Sequence, residues 1–109
     1  MKDFNPHDAI DFIFKNAPAY AKAKGELAEL EAFKSSLKAI KMSESSEQSL
    51  GAQEREAYRS ESYQELCKAI GLATEKAESL RWQLESAKMR FQAWQTESAN
   101  NRQIERLTT

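Results

Sequence analysis

The stretch that decides the fold runs from Ser60 to Leu107 and reads SESYQELCKAIGLATEKAESLRWQLESAKMRFQAWQTESANNRQIERL. It contains no proline, and its one glycine, Gly71, lies off the apolar pattern. Apolar residues recur every three or four positions, a spacing that keeps one side of a helix facing a partner helix. We call these positions the main seam. Its first ten members are apolar, and the full set is Tyr63, Leu66, Ile70, Ala73, Ala77, Leu80, Leu84, Ala87, Phe91, Trp94, Ser98 and Asn101.

A helix of this length would measure roughly 70 Å at 1.5 Å per residue, which is too long for a compact core to cover. The sequence therefore predicts that the main seam lies along other helices of this chain or of a second copy. The predicted class is all-α, an antiparallel helical hairpin or coiled coil with one very long C-terminal helix and a short N-terminal helix. We predict a single helical domain over 1–109, consisting of a short helix 6–16, a helix 18–42, a linker 43–51, a short helix 52–59 and the long helix 60–107.

Local signals place these boundaries. Asn5 is a suitable N-cap for the first helix, and Pro6 suits the first helical position. Pro18 disfavours helical geometry at Ala17, which predicts a break there. Ser60 can cap the long helix, and Ser62 followed by Glu65 is an alternative capping box.

The helix predicted over 18–42 carries a second seam, and a linker of this size lets it pack antiparallel to the long helix. That arrangement leaves Phe91 and Trp94 uncovered. The N-terminal helix could cover them through Phe12 and Ile13, or a second protomer could do so. The members of the second seam are Tyr20, Ala23, Leu27, Leu30, Phe33, Leu37 and Ile40.

The overall charge gives no general attraction to nucleic acid or anionic membranes, because 16 basic and 17 acidic residues leave a net charge of −1. Three Gly, two Pro and 30% charged residues are typical of long helices. The sequence contains no run of about 20 apolar residues, so we expect no membrane-spanning helix. Its N-terminus lacks the pattern of a signal peptide. The single cysteine, Cys67, fits a reducing intracellular setting and reads as a small, partly buried residue.

The sequence offers no site for chemistry. His7 is the only histidine and lies sixty residues from Cys67, so no metal site can be assembled from spacing. The phosphate-binding, GxSxG and HExxH motifs are all missing from the sequence. Its carboxylates alternate with Lys and Arg at helical spacing, as on a solvated face. We therefore predict a protein that is not an enzyme, with no catalytic residue, metal or cofactor.

A second apolar strip predicts an association surface. Trp82 and Met89 are seven residues apart and lie off the main seam, with Ala93 and Ile104 further along. Exposed Trp and Met on a thin helical protein favour a contact surface, which predicts a homo-oligomer, a dimer or higher. The alternative is a monomer whose N-terminal helix wraps this side.

Two members of the main seam complete the predicted interface, Trp94 and Asn101. An Asn at a seam position can fix the register between identical helices. The alternative for this end of the helix is a frayed, exposed terminus, which we favour.

Basic and aromatic residues also interleave near the C-terminus, a combination used by single-stranded nucleic-acid binders. Phe91 and Trp94 fall on the main seam, however, and glutamates dilute the charge. We favour a core with a solvated face and keep a nucleic-acid surface as the alternative. Its candidate contacts are Arg81, Lys88, Arg90 and Arg102.

Two pieces of the chain, EREAYRSESYQEL at 54–66 and LRWQLESAKMRFQAWQTESANNR at 80–102, carry a resemblance to a known family. They resemble small helical proteins encoded by tailed phages and prophages, whose relatives often have proline where this chain has Glu61. The matching positions cover the C-terminal half, and they are Glu54, Arg55, Glu56, Ala57, Tyr58, Tyr63, Leu80, Arg81, Trp82, Ala87, Arg90, Trp94, Asn101 and Arg102.

The resemblance implies a setting rather than a site. Genes of this family often lie near phage recombination and early replication genes. That context implies an accessory role in recombination through protein–protein contacts, in the cytoplasm of a bacterial host, with an unidentified phage or host protein as partner. An inhibitor of a host defence or nuclease protein is a further alternative. The resemblance assigns no catalytic or binding residue.

Overall fold

The structure is a computed structural model that describes residues 4–108. Over these residues the chain forms three helices, α1 (Pro6–Ser43), α2 (Leu50–Arg59) and α3 (Glu61–Thr108). The predicted class, an all-α helical hairpin with one long C-terminal helix, is confirmed. The contacts divide the chain into two compact units: unit 1 comprises Met1–Tyr20 and Ser79–Thr109, and unit 2 comprises Ala21–Glu78. The single domain over 1–109 stays a prediction. Side chains on long helices reach only the neighbouring turns, so contacts group locally instead of around one centre.

The predicted break between helices 6–16 and 18–42 is wrong, because Pro18 lies inside the continuous helix α1. Proline removes one backbone hydrogen bond and crowds the preceding turn, but it does not forbid a helix whose packing face continues on both sides. That face does continue: Ala9 and Ala23 are buried, while Ile13, Asn16 and Tyr20 are half-buried between them. The steps of three and four residues run through the proline without interruption.

Replacing Pro18 with Ala is expected to raise the free energy of unfolding by about 1 to 2 kcal/mol. The helix regains a hydrogen bond, and part of that gain is offset because proline also restricts the unfolded chain. Urea denaturation followed by circular dichroism measures the change. Ala19→Gly, at the neighbouring exposed position, should lower the free energy instead, and a destabilised Pro18→Ala variant would contradict a continuous α1.

The seam predicted on α1 also needs a correction. Phe33 and Ile40 are 46% and 45% exposed, although both were placed among the core positions. The residues of α1 that pack on α3 in this unit are instead Leu30 and Leu37. Lys34 lies between them and is exposed, with its Nζ 6.0 Å from the centroid of the Tyr63 ring.

Unit 2 is built on a small core of Leu37, Tyr63 and Leu66, each 8% exposed. Leu30 and Ile70 pack against it, which places α1 antiparallel to α3 within this unit. The predicted partial burial of Cys67 is confirmed, since the half-buried thiol packs on the same core.

Helix α2 is the third element of unit 2, and it starts two residues earlier than the sequence predicts. It begins at Leu50 rather than residue 52, because the Ser49 hydroxyl caps it by accepting from the Ala52 amide at 3.1 Å. Its Ala57 is 1% exposed. Ser60 separates α2 from α3 and accepts from the Tyr63 amide at 3.3 Å, so the predicted Ser60 cap is confirmed.

Lys38 ties α1 to α2 in unit 2. Its Nζ lies 3.2 Å from Glu54 Oε1 and 4.9 Å from the centroid of the Tyr58 ring. Interaction with the Tyr58 side chain, followed by the hydrogen bond to Glu54, raises the pKa of Lys38 above its ordinary value of 10.5.

A raised lysine pKa gives a contribution to stability that is fully present below pH 10.5 and is lost as pH rises through the folded-state pKa. Glu54→Gln is expected to lower the pKa of Lys38 toward its ordinary value, as measured by NMR titration of the lysine side chain. Glu44→Gln is the matched control because Glu44 pairs with Lys41, at 3.2 Å. An unchanged Lys38 pKa in Glu54→Gln would contradict the pairing.

Two helix-interior glycines are unnecessary for packing, since a Cβ added at Gly25 or Gly71 would meet nothing within 4 Å. Gly71→Ala is therefore expected to raise the free energy of unfolding by about 1 kcal/mol through helix propensity alone. Chemical denaturation checks this, with Gly25→Ala as an independent repeat in α1. A loss of stability in both variants would contradict the helices as described.

Unit 1 contains the first part of α1 and the last part of α3, with Phe4 and Asn5 ahead of α1. The predicted Asn5 cap and Pro6 start are confirmed, as Asn5 Oδ1 accepts from the His7 amide at 2.9 Å. The Arg90 guanidinium lies 5.5 Å from the centroid of the Phe4 ring, and Phe12 lies in a crevice with Gln83 and Ala87. These contacts make the two helices antiparallel within unit 1.

Candidate protein-interaction surface

The main seam in unit 1 faces α1 but is only partly covered. Its members from Leu80 to Trp94 are half-buried, and Ala9 is the only buried residue among the described part of unit 1. Phe91 and Trp94 contact each other at 5.8 Å between ring centroids. Trp94 is therefore half-buried beside Phe91 on the main seam, and Asn101, further along, is exposed.

A second set of apolar residues on α3 is open to solvent. Trp82, Met89 and Ile104 are 55%, 52% and 57% exposed, Ala93 is exposed, and Leu107 is 80% exposed. On an ideal helix of 3.6 residues per turn, these five side chains fall within an arc of about 60°. We call them the outer stripe: Trp82, Met89, Ala93, Ile104 and Leu107.

The outer stripe and the main seam lie on roughly opposite sides of α3, about 160° apart on the same ideal helix. A helix with apolar residues on two faces normally packs against neighbours on both. In the described part of unit 1 the one neighbouring helix of α3 is α1, and it packs against the main seam. Steps of four and seven residues in the sequence predict Trp82, Met89 and Ala93, with Ile104 further along. Leu107, the fifth member, falls on the same face only when the period is taken as 3.6 residues.

Helix α1 leaves a smaller apolar area exposed in unit 1. Ile10 and Phe14, four residues apart, are 47% and 83% exposed, whereas Ile13 is half-buried. The sequence predicts that Phe12 and Ile13 cover α3 at the level of Ala87–Trp94. Phe12 reaches only the beginning of that range, in a crevice with Gln83 and Ala87, and Phe4 is the ring that lies on Arg90. The exposure of Ile10 and Phe14 follows from an apolar arc too wide for one partner helix.

The four candidate nucleic-acid contacts do not form one tract. Arg81 lies 4.5 Å from the centroid of the Trp82 ring, and Arg90 stacks on Phe4. Arg90 projects about 180° from Arg81 around the helix, while Lys88 and Arg102 lie on the side of Arg81. A strand that follows one flank of α3 therefore meets three of the four cations and no row of exposed rings.

Other candidate sites gain no support from the geometry. The side chains described for residues 4–108 bring together no group of three His, Cys, Asp or Glu that could hold a metal ion. His7 is exposed at the start of α1. Over the same residues, none of the helices combines the length and the apolar character needed to cross a membrane.

The chain matches no protein-family model, no curated protein and no solved structure. The resemblance to small helical proteins of tailed phages therefore stays a prediction from the sequence.

Proposed function

We propose that this protein is a non-enzymatic interaction protein that acts through helix–helix contacts. The observation that carries the proposal is the outer stripe, an apolar face that lies opposite the main seam and has Trp82 and Met89 more than half exposed. Apolar residues in an ordered row of this kind are typical of protein-binding surfaces, whereas scattered single ones are not.

The resemblance gives this function its setting. We propose an accessory factor for phage recombination or replication, located in the cytoplasm of a bacterial host, that contributes by binding protein rather than by catalysis. The near-zero net charge supports protein over nucleic acid as the partner, because an electrostatic footprint is the usual signature of nucleic-acid binding.

Affinity capture from cells that carry the phage or prophage tests this proposal. A tagged Trp82→Ala/Met89→Ala double variant is compared with the wild type, and Gln95→Ala serves as the matched control because Gln95 is exposed on α3 outside the outer stripe. The proposal expects the double variant to lose the proteins that the wild type and the control retain, including untagged copies of this chain. Equal recovery from all three would contradict it.

A further inference from the structure

The outer stripe requires a long, narrow occupant. From Trp82 to Leu107 it extends for roughly 38 Å along α3 at 1.5 Å per residue, with a width of only one helix face. Another helix fits such a surface, because side-chain ridges of one helix pack into grooves of the next. Within unit 1 the described part of α1 cannot cover the outer stripe, because it packs against the main seam on the other side of α3.

Resting on the proposed function, we infer that the occupant is α3 of a second copy, packed antiparallel about a two-fold axis near Ala93. The order of side-chain sizes along the outer stripe supports this pairing. Ala93, its smallest member, lies eleven residues from Trp82 and eleven from Ile104. Antiparallel helices that cross at Ala93 approach closely there, and each Trp82 meets Ile104 of the second copy.

Two charged residues beside the outer stripe, Arg90 and Glu97, are also arranged nearly symmetrically about Ala93. Arg90 and Glu97 lie on one flank, within about 20° of each other around the helix, and their midpoint falls between residues 93 and 94. In the antiparallel pair Arg90 of each copy therefore faces Glu97 of the other, which gives two symmetric ion pairs.

A parallel pair uses these charges less fully. Its two-fold axis runs along the helices, so the flank that carries Arg90 faces the opposite flank, where the nearest charged residue is Glu85, five residues earlier along the helix. Glu97 faces no basic residue on that flank. Charge pairs beside an apolar contact decide orientation more than strength, and the antiparallel pair matches both Arg90 and Glu97 at one level.

Cysteine cross-linking tests both the occupant and its orientation. In a Cys67→Ala background, Ser86→Cys and Asn100→Cys place thiols at two exposed polar positions on the azimuth of the outer stripe. Because residues 86 and 100 are also symmetric about Ala93, mild oxidation should link a Ser86→Cys chain to an Asn100→Cys chain, while Ser86→Cys alone stays mostly uncoupled. Ala93→Cys alone should form a covalent dimer.

Gln95→Cys, which is exposed but lies off the outer stripe, gives the background level of random cross-linking. Efficient coupling of Ser86→Cys with itself would overturn the antiparallel orientation. Coupling of every variant at the Gln95→Cys level would overturn the self-contact altogether.

Sedimentation equilibrium at micromolar concentrations separates this inference from the proposed function. The wild type is expected to sediment as a dimer of the 12.4 kDa chain, and Trp82→Ala should raise the dimer dissociation constant at least about thirtyfold. If the wild type is a monomer while cellular capture still depends on Trp82 and Met89, the inference falls and the proposed function stands. If capture is also indifferent to both residues, the two fall together.

Discussion

Leu66→Ala is expected to lower the free energy of unfolding by about 3 kcal/mol, because it empties part of the best-packed region of the described chain. Leu66 is 8% exposed and packs with Leu37 and Tyr63 in unit 2. The change removes buried methyl groups from a core too small to close over the cavity. Urea denaturation monitored by circular dichroism measures the loss.

Leu72→Ala is the matched control, since it makes the same chemical change in the same helix and the same unit. Leu72 is 69% exposed, so the expected change is within about 0.5 kcal/mol. Equal losses in the two variants would mean that the face of α3 that carries Leu66 is not the packed one, which would contradict the main seam.

Trp82→Ala is expected to have the opposite profile, with little effect on folding and a large effect on association. Trp82 is 55% exposed in the single chain, so its truncation should change the free energy of unfolding of the monomer by about 0.5 kcal/mol or less. As the largest side chain of the outer stripe, it should contribute about 2 kcal/mol or more to the association free energy, as aromatic anchors of interfaces commonly do.

The two quantities can be measured separately. Denaturation at low concentration reports folding of the chain, and sedimentation equilibrium reports association. Phe14→Ala is a useful comparison because Phe14 is an exposed aromatic residue on α1, 83% open to solvent, outside the outer stripe. A Trp82→Ala variant that associates as tightly as Phe14→Ala and the wild type would contradict the role given to the outer stripe.

Much of the fold could be predicted from sequence because the main seam is long and regular. From Tyr63 to Trp94 every predicted member is buried or half-buried, and α3 begins one residue after the Ser60 cap. A period repeated this many times leaves no ambiguity between helix and strand. The capping serine then fixes where the helix starts.

The errors arose where a local signal competed with packing. Pro18 was read as a break, but the seam of α1 continues on both sides of it, and tertiary contacts outweigh one missing hydrogen bond. Phe33 and Ile40 fit the apolar spacing of the second seam, yet both are nearly half exposed because the core of unit 2 takes Leu30 and Leu37 from α1.

The candidate surface was only partly visible in the sequence. The spacing of Trp82 and Met89 indicates the outer stripe, and Trp94, which is also predicted at the interface, lies on the main seam beside Phe91. What occupies an exposed face depends on a second molecule. The exposure of the outer stripe is visible only in the structure, and the symmetric spacing of Ala93, Arg90 and Glu97 then points to a second α3.

The central claim is that the outer stripe is a contact surface for a second α3. The most direct test measures how accessible Trp82 is to solvent as the protein concentration rises. In a Trp94→Phe variant Trp82 is the only tryptophan, so acrylamide quenching of fluorescence reports its exposure alone. The predicted result is strong quenching at low concentration, then weaker quenching with emission shifted to the blue as the dimer forms. Quenching that stays equally strong at every concentration would contradict the account.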